Sequence, residues 1–352
     1  MRRIAALVLI CAAAPIGSGC SVMGYYQQGL FGQLELMHKS QPIEAVLQDQ
    51  TTPPALAARL SQVLAFRRFA FETLLLPDNG SYMHYVDLQR PYVVWNVFAT
   101  PEFSLRPVQS CFPVVGCLSY RGYFNQADAE KAAGQYAADG HDVFVGGVAA
   151  YSTLGWFSDP VLSSMLRWDE MKLAQLIFHE LAHQQLYAED DSDFNEAFAT
   201  AVSIIGVEQW LRARGNPAQR MAWQQYRERQ QDFLALVKPA AQRLRKLYAV
   251  QGDAQAMREA KAQVLDDLRR DYRQLRDGPW QGYNGYDRWF ETANNARIAA
   301  VATYHDWVPA FLAHHEHLNR DIEAFYARSA EVARQPAQAR RDWLSAALVA
   351  GR

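Results

Sequence analysis

Leu176-Ile177-Phe178-His179-Glu180-Leu181-Ala182-His183-Gln184-Gln185-Leu186 is the stretch whose reading decides this chain. Leu173, Leu176, Ile177 and Leu181 recur at helical spacing, which predicts a helix over 168–187. Residues four apart on a helix lie about 40° from each other around its axis. His179 and His183 therefore share a face and can share one metal ion. Glu180 adjoins the first histidine and reaches the edge of the same site, where a carboxylate can take a proton from an attacking water and return it to the leaving group. Two imidazoles and a carboxylate, with a fourth position left to water, suit zinc, one ion per chain.

The carboxylate ligand is sought next along the chain. Twelve residues separate His183 from Glu196, room for a turn and a return on a second helix predicted over 194–214 and closed by Gly215 and Pro217. Glu196 is the candidate third ligand. Asp193 followed three residues later by Glu196 is equally a helix-capping pattern. Asp190, Asp191 and Asp193 read as a solvated loop, and His314-His315-Glu316-His317 as a solvated helix surface with no general base on a matched face.

Upstream the pattern changes. Helices are predicted over 25–38, 55–76 (broken by Asp78-Asn79-Gly80) and 126–139, ending at Gly140. Segments 91–99 and 142–148 are rich in β-branched and aromatic types and read as strands. Downstream, 218–277 is long and charged, broken near Gln251-Gly252-Asp253, and reads as an antiparallel helical hairpin whose charges form a solvated face. The class is therefore α+β: a small mixed sheet in the N-terminal half (about 25–167) and a predominantly helical C-terminal half (about 168–352). No repeat or linker divides residues 20–352, which read as one domain.

Half of the 352 residues are apolar and the formal charge is -2. No basic stripe of the kind that tracks nucleic acid is present, so that partner is excluded. Arg2 and Arg3 followed by the short apolar run Ile4–Ile16 form a secretory leader rather than a membrane span. Gly17-Ser18-Gly19-Cys20 then resembles a lipobox, which makes Cys20 the candidate lipidated residue and the mature chain a periplasm-facing lipoprotein of the bacterial cell envelope. The alternative is a soluble secreted protein with an ordinary cleavage site. Removing residues 1–19 takes two of 35 basic residues and none of 37 acids, leaving 33 minus 37, or -4. In that compartment Cys111 and Cys117, flanking Pro113 and Gly116, read as a disulfide across a tight turn; zinc is the alternative, disfavoured by the lack of a close histidine.

The two-histidine motif with a downstream helical glutamate resembles the gluzincin branch of zinc peptidases. More of the chain is similar to a family of predicted bacterial aminopeptidases, mostly envelope lipoproteins. The stretches that carry the similarity include Phe69-Ala70, Leu76-Pro77-Asp78-Asn79, Tyr92-Val93-Val94-Trp95-Asn96-Val97, Tyr120-Arg121-Gly122-Tyr123-Phe124, Ala150–Phe157, His179–His183, Asn195-Glu196 and Asn294-Asn295-Ala296. The resemblance implies a zincin-like fold in which His179, His183 and Glu196 hold zinc and Glu180 is the acid/base. It implies a substrate-pairing edge strand at Val145–Trp156, with Tyr151, Ser152 and Thr153 as candidate substrate contacts or simply a turn. Tyr304 is the candidate oxyanion donor or an ordinary half-buried tyrosine, and Asn294 and Asn295 either bind substrate or cap a helix. No Gly-x-Met-Glu-Asn segment is found, so exo- and endopeptidase action both stay open for a peptide or protein substrate of the envelope. A non-catalytic lipoprotein with a structural zinc site, acting as an assembly partner, is the competing class.

Overall fold

The computed structural model describes residues 19–112, 116–150, 158–250, 252–302 and 307–350. The first half runs α1 (Gly19–Lys39), β1 (Gln41–Pro42), α2 (Ile43–Gln48), α3 (Pro54–Glu72), β2 (His84–Val86), β3 (Val94–Thr100), β4 (Ser110–Phe112) and β5 (Gly116–Leu118). It ends with β6 (Arg121–Tyr123), α4 (Gln126–Ala138), β7 (Asp142–Val148) and β8 (Val161–Leu162). The second half is helical: α5 (Glu170–Gln185), α6 (Ser192–Arg214), α7 (Pro217–Tyr248), α8 (Ala254–Asp277) and α9 (Asp287–Glu291). Next come α10 (Asn295–Ala302), α11 (Val308–His317), α12 (Ile322–Ala333) and α13 (Ala337–Ala350).

The class is α+β, as the patterning predicts, but the strands do not form one sheet. One sheet has the order β6-β3-β7, all antiparallel; another has β1-β2-β8, with β2 and β8 parallel; β4 and β5 make a separate hairpin closed by a Cys111–Cys117 disulfide. β3 alternates inward and outward, and its buried Trp95 and Val97 pack on Tyr123 and on Ala129 of α4. β7 pairs with β3 from Asp142 opposite Thr100 to Val148 opposite Val94, and among the described residues its other edge carries no strand.

α5 and α6 form the centre of the main core. Asp169 caps α5 by accepting from Lys172 N at 3.0 Å, and Leu173, Ala174, Ile177, Phe178, Leu181 and Ala182 are buried behind it. α6 is buried on nearly all sides, as befits a helix enclosed by others. It meets α5 closely because residue 206 is glycine: a Cβ there would come within 2.7 Å of Leu74 and of Phe178. Phe66 and Phe69 of α3 pack edge-on against Trp210, and Phe311 and Phe325 of the last helices cover Phe194 and Phe198. The α7–α8 hairpin has its own core of Phe233, Val237, Ala241, Leu244, Val264, Leu265 and Leu268.

Candidate metal centre

The turn from α5 to α6 sets the site. α6 begins at Asp191, which accepts from Phe194 N at 3.1 Å and receives Arg340 Nε at 2.7 Å. The N-cap of α6 is thus Asp191 and not Asp193. Asn195 is buried and clamps the turn from both sides, accepting from Ala188 N at 2.7 Å and donating to Ala188 O at 2.8 Å. Glu196 then faces the α5 histidines. Its carboxylate oxygens lie 3.3 Å from His179 Nε2 and 3.6 Å from His183 Nε2, and the two Nε2 atoms are 3.1 Å apart.

These three edges fit a metal. Tetrahedral ligands at the usual zinc distances are about 3.3 Å from one another. The three donor atoms form the only such group among the described residues. As protein groups alone, they are poised for a cation. Burial, reinforced by His179, lowers His183 to about 4, so it is neutral at pH 7. Burial also opposes charge on His179, but the hydrogen bond it donates to Glu196 and the charges of Glu180 and Glu196 outweigh it and raise its pKa. Glu180 is 9 % exposed, and burial first, then the Glu196 and Asp159 charges, push its carboxyl up to about 7 against the opposing pull of His179.

His179 and Glu180 open onto a cleft of about 810 Å³ that continues past Leu176, Lys172 and Trp168 of the α5 side, with Tyr226 of α7 opposite and Gly147–Ala150 at the end of β7. Gly147 is required there, since a Cβ would run into the Tyr92 ring. Tyr151, Ser152, Thr153 and Tyr304 lie outside the described residues. The side chain of Cys20 does too, although its backbone stands in the first turn of α1. Asn294 and Asn295 are not brought to the cleft. Asn294 caps α10 through Arg297 N and donates to Val143 O, while Asn295, fully buried, binds Glu102 O and accepts from Tyr248. Their amides tie α10 to the start of β7, which takes up the bonding capacity that substrate contact would need.

The profile of a family described as putative aminopeptidase matches residues 24–344. The chain belongs to that family. No curated protein and no solved structure is significantly similar to it.

Sequence reasoning missed the ground behind Glu180. Tyr82 is 1 % exposed with φ 61, its hydroxyl has no partner among the described residues, and burial with the Glu180 and Asp159 charges drives its pKa well above the usual phenol value. Its neighbours Asn79 and Ser81 bond Gln184, the residue after His183, and so hold the last turn of α5. A positive φ at tyrosine leaves no mark in the sequence. The Asp78-Asn79-Gly80 turn was the one available signal.

Proposed function

We propose that this family member is a zinc-dependent peptidase acting as an aminopeptidase, with His179, His183 and Glu196 holding one ion and Glu180 as general acid/base. The observation that carries the reading is the convergence of two imidazole Nε2 atoms 3.1 Å apart with the two Glu196 oxygens, one 3.3 Å from His179 and the other 3.6 Å from His183, beside a buried glutamate on an open cleft. When bound, zinc supplies a Lewis acid toward the scissile carbonyl and lowers the pKa of water, with one position open. Glu180, raised toward neutrality, takes the proton of the attacking water and passes it to the leaving amine. The edge of β7 that carries no strand among the described residues, and which ends in the cleft wall, offers backbone groups to an extended substrate.

A structural zinc site closes all four positions with protein ligands, and three converge here among the described residues, which favours the enzyme over the assembly-partner reading. Envelope attachment through Cys20 rests on the leader sequence. No helix among the described residues is long and apolar enough to cross a membrane. The test is zinc content and hydrolysis of unblocked peptides by the purified mature chain beside Glu180→Gln. One zinc per chain in both, with turnover in the first alone, supports the reading. Zinc without turnover in either leaves the scaffold.

A further inference from the structure

Beside the catalytic cleft lies a second cavity of about 360 Å³, walled by the start of α5, by Trp223, Tyr226 and Arg229 of α7, and by Tyr283 and Tyr286. Asp169, Lys172 and Tyr226 belong to both walls, so the two spaces adjoin. Trp223, Tyr226 and Arg229 are spaced by three and share one face of α7.

The acids of this cavity are already engaged. Asp169 pairs with Lys172 at 2.9 Å, and Glu170 accepts from Gln219 Nε2 at 3.0 Å. The Arg229 guanidinium is not: it lies 4.1 Å over the Tyr283 ring and meets no carboxylate among the described residues.

We propose that this cavity is a substrate subsite for a carboxylate, held by Arg229 between aromatic walls. It rests on the reading of the cleft as a peptide-cleaving site and gives that site a substrate class. Lys172 stands eight residues before Glu180 on α5, about 12 Å along the helix axis. An extended peptide advances about 3.3 Å per residue, so the carboxylate sits three or four residues from the cleaved bond. It is either the free C-terminus of a short peptide or an Asp or Glu side chain of a longer one.

The experiment is calorimetric titration of the full mature chain carrying Glu180→Gln with two peptide pairs. One pair is Ala-Ala-Ala-Phe as free acid and as amide; the other is Ala-Ala-Ala-Glu-Ala amide and its Gln counterpart. At least one acid should bind about tenfold tighter than its neutral partner, as a charge-assisted hydrogen bond supplies. The pair that shows the preference identifies the source of the carboxylate. Adding Arg229→Gln should reduce the preference below about twofold, and Arg229→Lys should restore part of it. Equal affinities in both pairs, no binding of any peptide, or a preference that survives Arg229→Gln would overturn the subsite. Turnover of the same peptides by the wild-type chain is followed separately by amine release. Preference without turnover removes the peptidase reading and leaves the carboxylate site; turnover without preference removes the subsite alone.

Discussion

Two helices of this chain carry histidines within one turn of each other, and they meet different neighbours. His179 and His183 of α5 face Glu196 of α6 across 3.3 and 3.6 Å. His314 and His315 of α11 face aromatic rings instead: His314 lies 4.8 Å from Trp343, and His315 lies 5.5 Å from Phe325. The Nε2 atoms of both α11 residues are buried with no hydrogen-bond partner among the described residues. Helical spacing brings two imidazoles together in either place. What the packed helix contributes decides whether they become a ligand set or part of a core.

The largest test of that contrast removes Glu180, the buried acid beside the α5 histidines. Glu180→Gln should lower kcat by a factor of about 10² to 10⁴, the usual worth of a positioned general acid/base, while zinc content stays at the wild-type level. Steady-state kinetics on an unblocked peptide with elemental analysis of the same preparations would check it. A fall of less than about threefold would leave Glu180 without a chemical role.

The next test compares the two histidine sets directly. Removing one of three ligands, His183→Ala or Glu196→Ala, should weaken zinc binding by more than about 100-fold, beyond what outer-shell changes cost. His314→Ala with His317→Ala should leave it unchanged. Competition against a chromogenic chelator reads both. Zinc retained by His183→Ala, or lost from the α11 variant, would move the site from α5 to α11.

A smaller effect concerns stability in the chelator-treated protein. Glu180 titrates at about 7 when folded against an ordinary value of 4.5. A raised acid pKa means the folded chain holds a proton that the unfolded chain has lost, so stability rises as pH falls from 7 to 4.5. The difference corresponds to about 3 kcal/mol of cost for the charged form at pH 8. Glu180→Gln should therefore be more stable than wild type by roughly that amount at pH 8 and no more stable near pH 4.5. Urea melts at the two pH values decide it, and a gap that is constant or wider in acid would contradict the buried charge.

The same contrast shows how much of the molecule was legible. The α5 and α6 helices and the Asp142–Val148 strand stand where the sequence pattern puts them, because each is long enough to carry its own apolar signal. The division of the strands among three sheets was not legible, since β1, β2 and β8 have two or three residues each and exist through pairing partners such as Tyr85 with Val161 that lie far apart in sequence. Glu196 was legible as one of two readings, and the cap of α6 is Asp191. The α7 charge run was read as a solvated face, yet Tyr226 and Arg229 form walls because the hairpin folds back on α5. His315 was read as a solvated surface and is buried. Nothing in a run of histidines says which element will cover it.

That burial yields the smallest and most local expectation. Burial, followed by the positive charges of Arg328, His317 and His315, holds His314 below its ordinary pKa. Burial likewise lowers His315, with Arg320 and Arg212 adding to it and Glu316 opposing. A histidine depressed in the folded state takes up its proton more readily when unfolded, so its contribution to stability is present above the unfolded value near 6.5 and is lost as pH falls below it. His183 contributes a slope of the same sign in chelated protein, so the informative quantity is the difference between two chains. A His314→Gln, His315→Gln double variant should lose less stability than wild type between pH 7.5 and 5.5, whatever its absolute stability. Urea midpoints at three pH values in that window measure the difference. Parallel slopes would mean that the α11 imidazoles are solvated after all, and the contrast between the two helices would then rest on Glu196 alone.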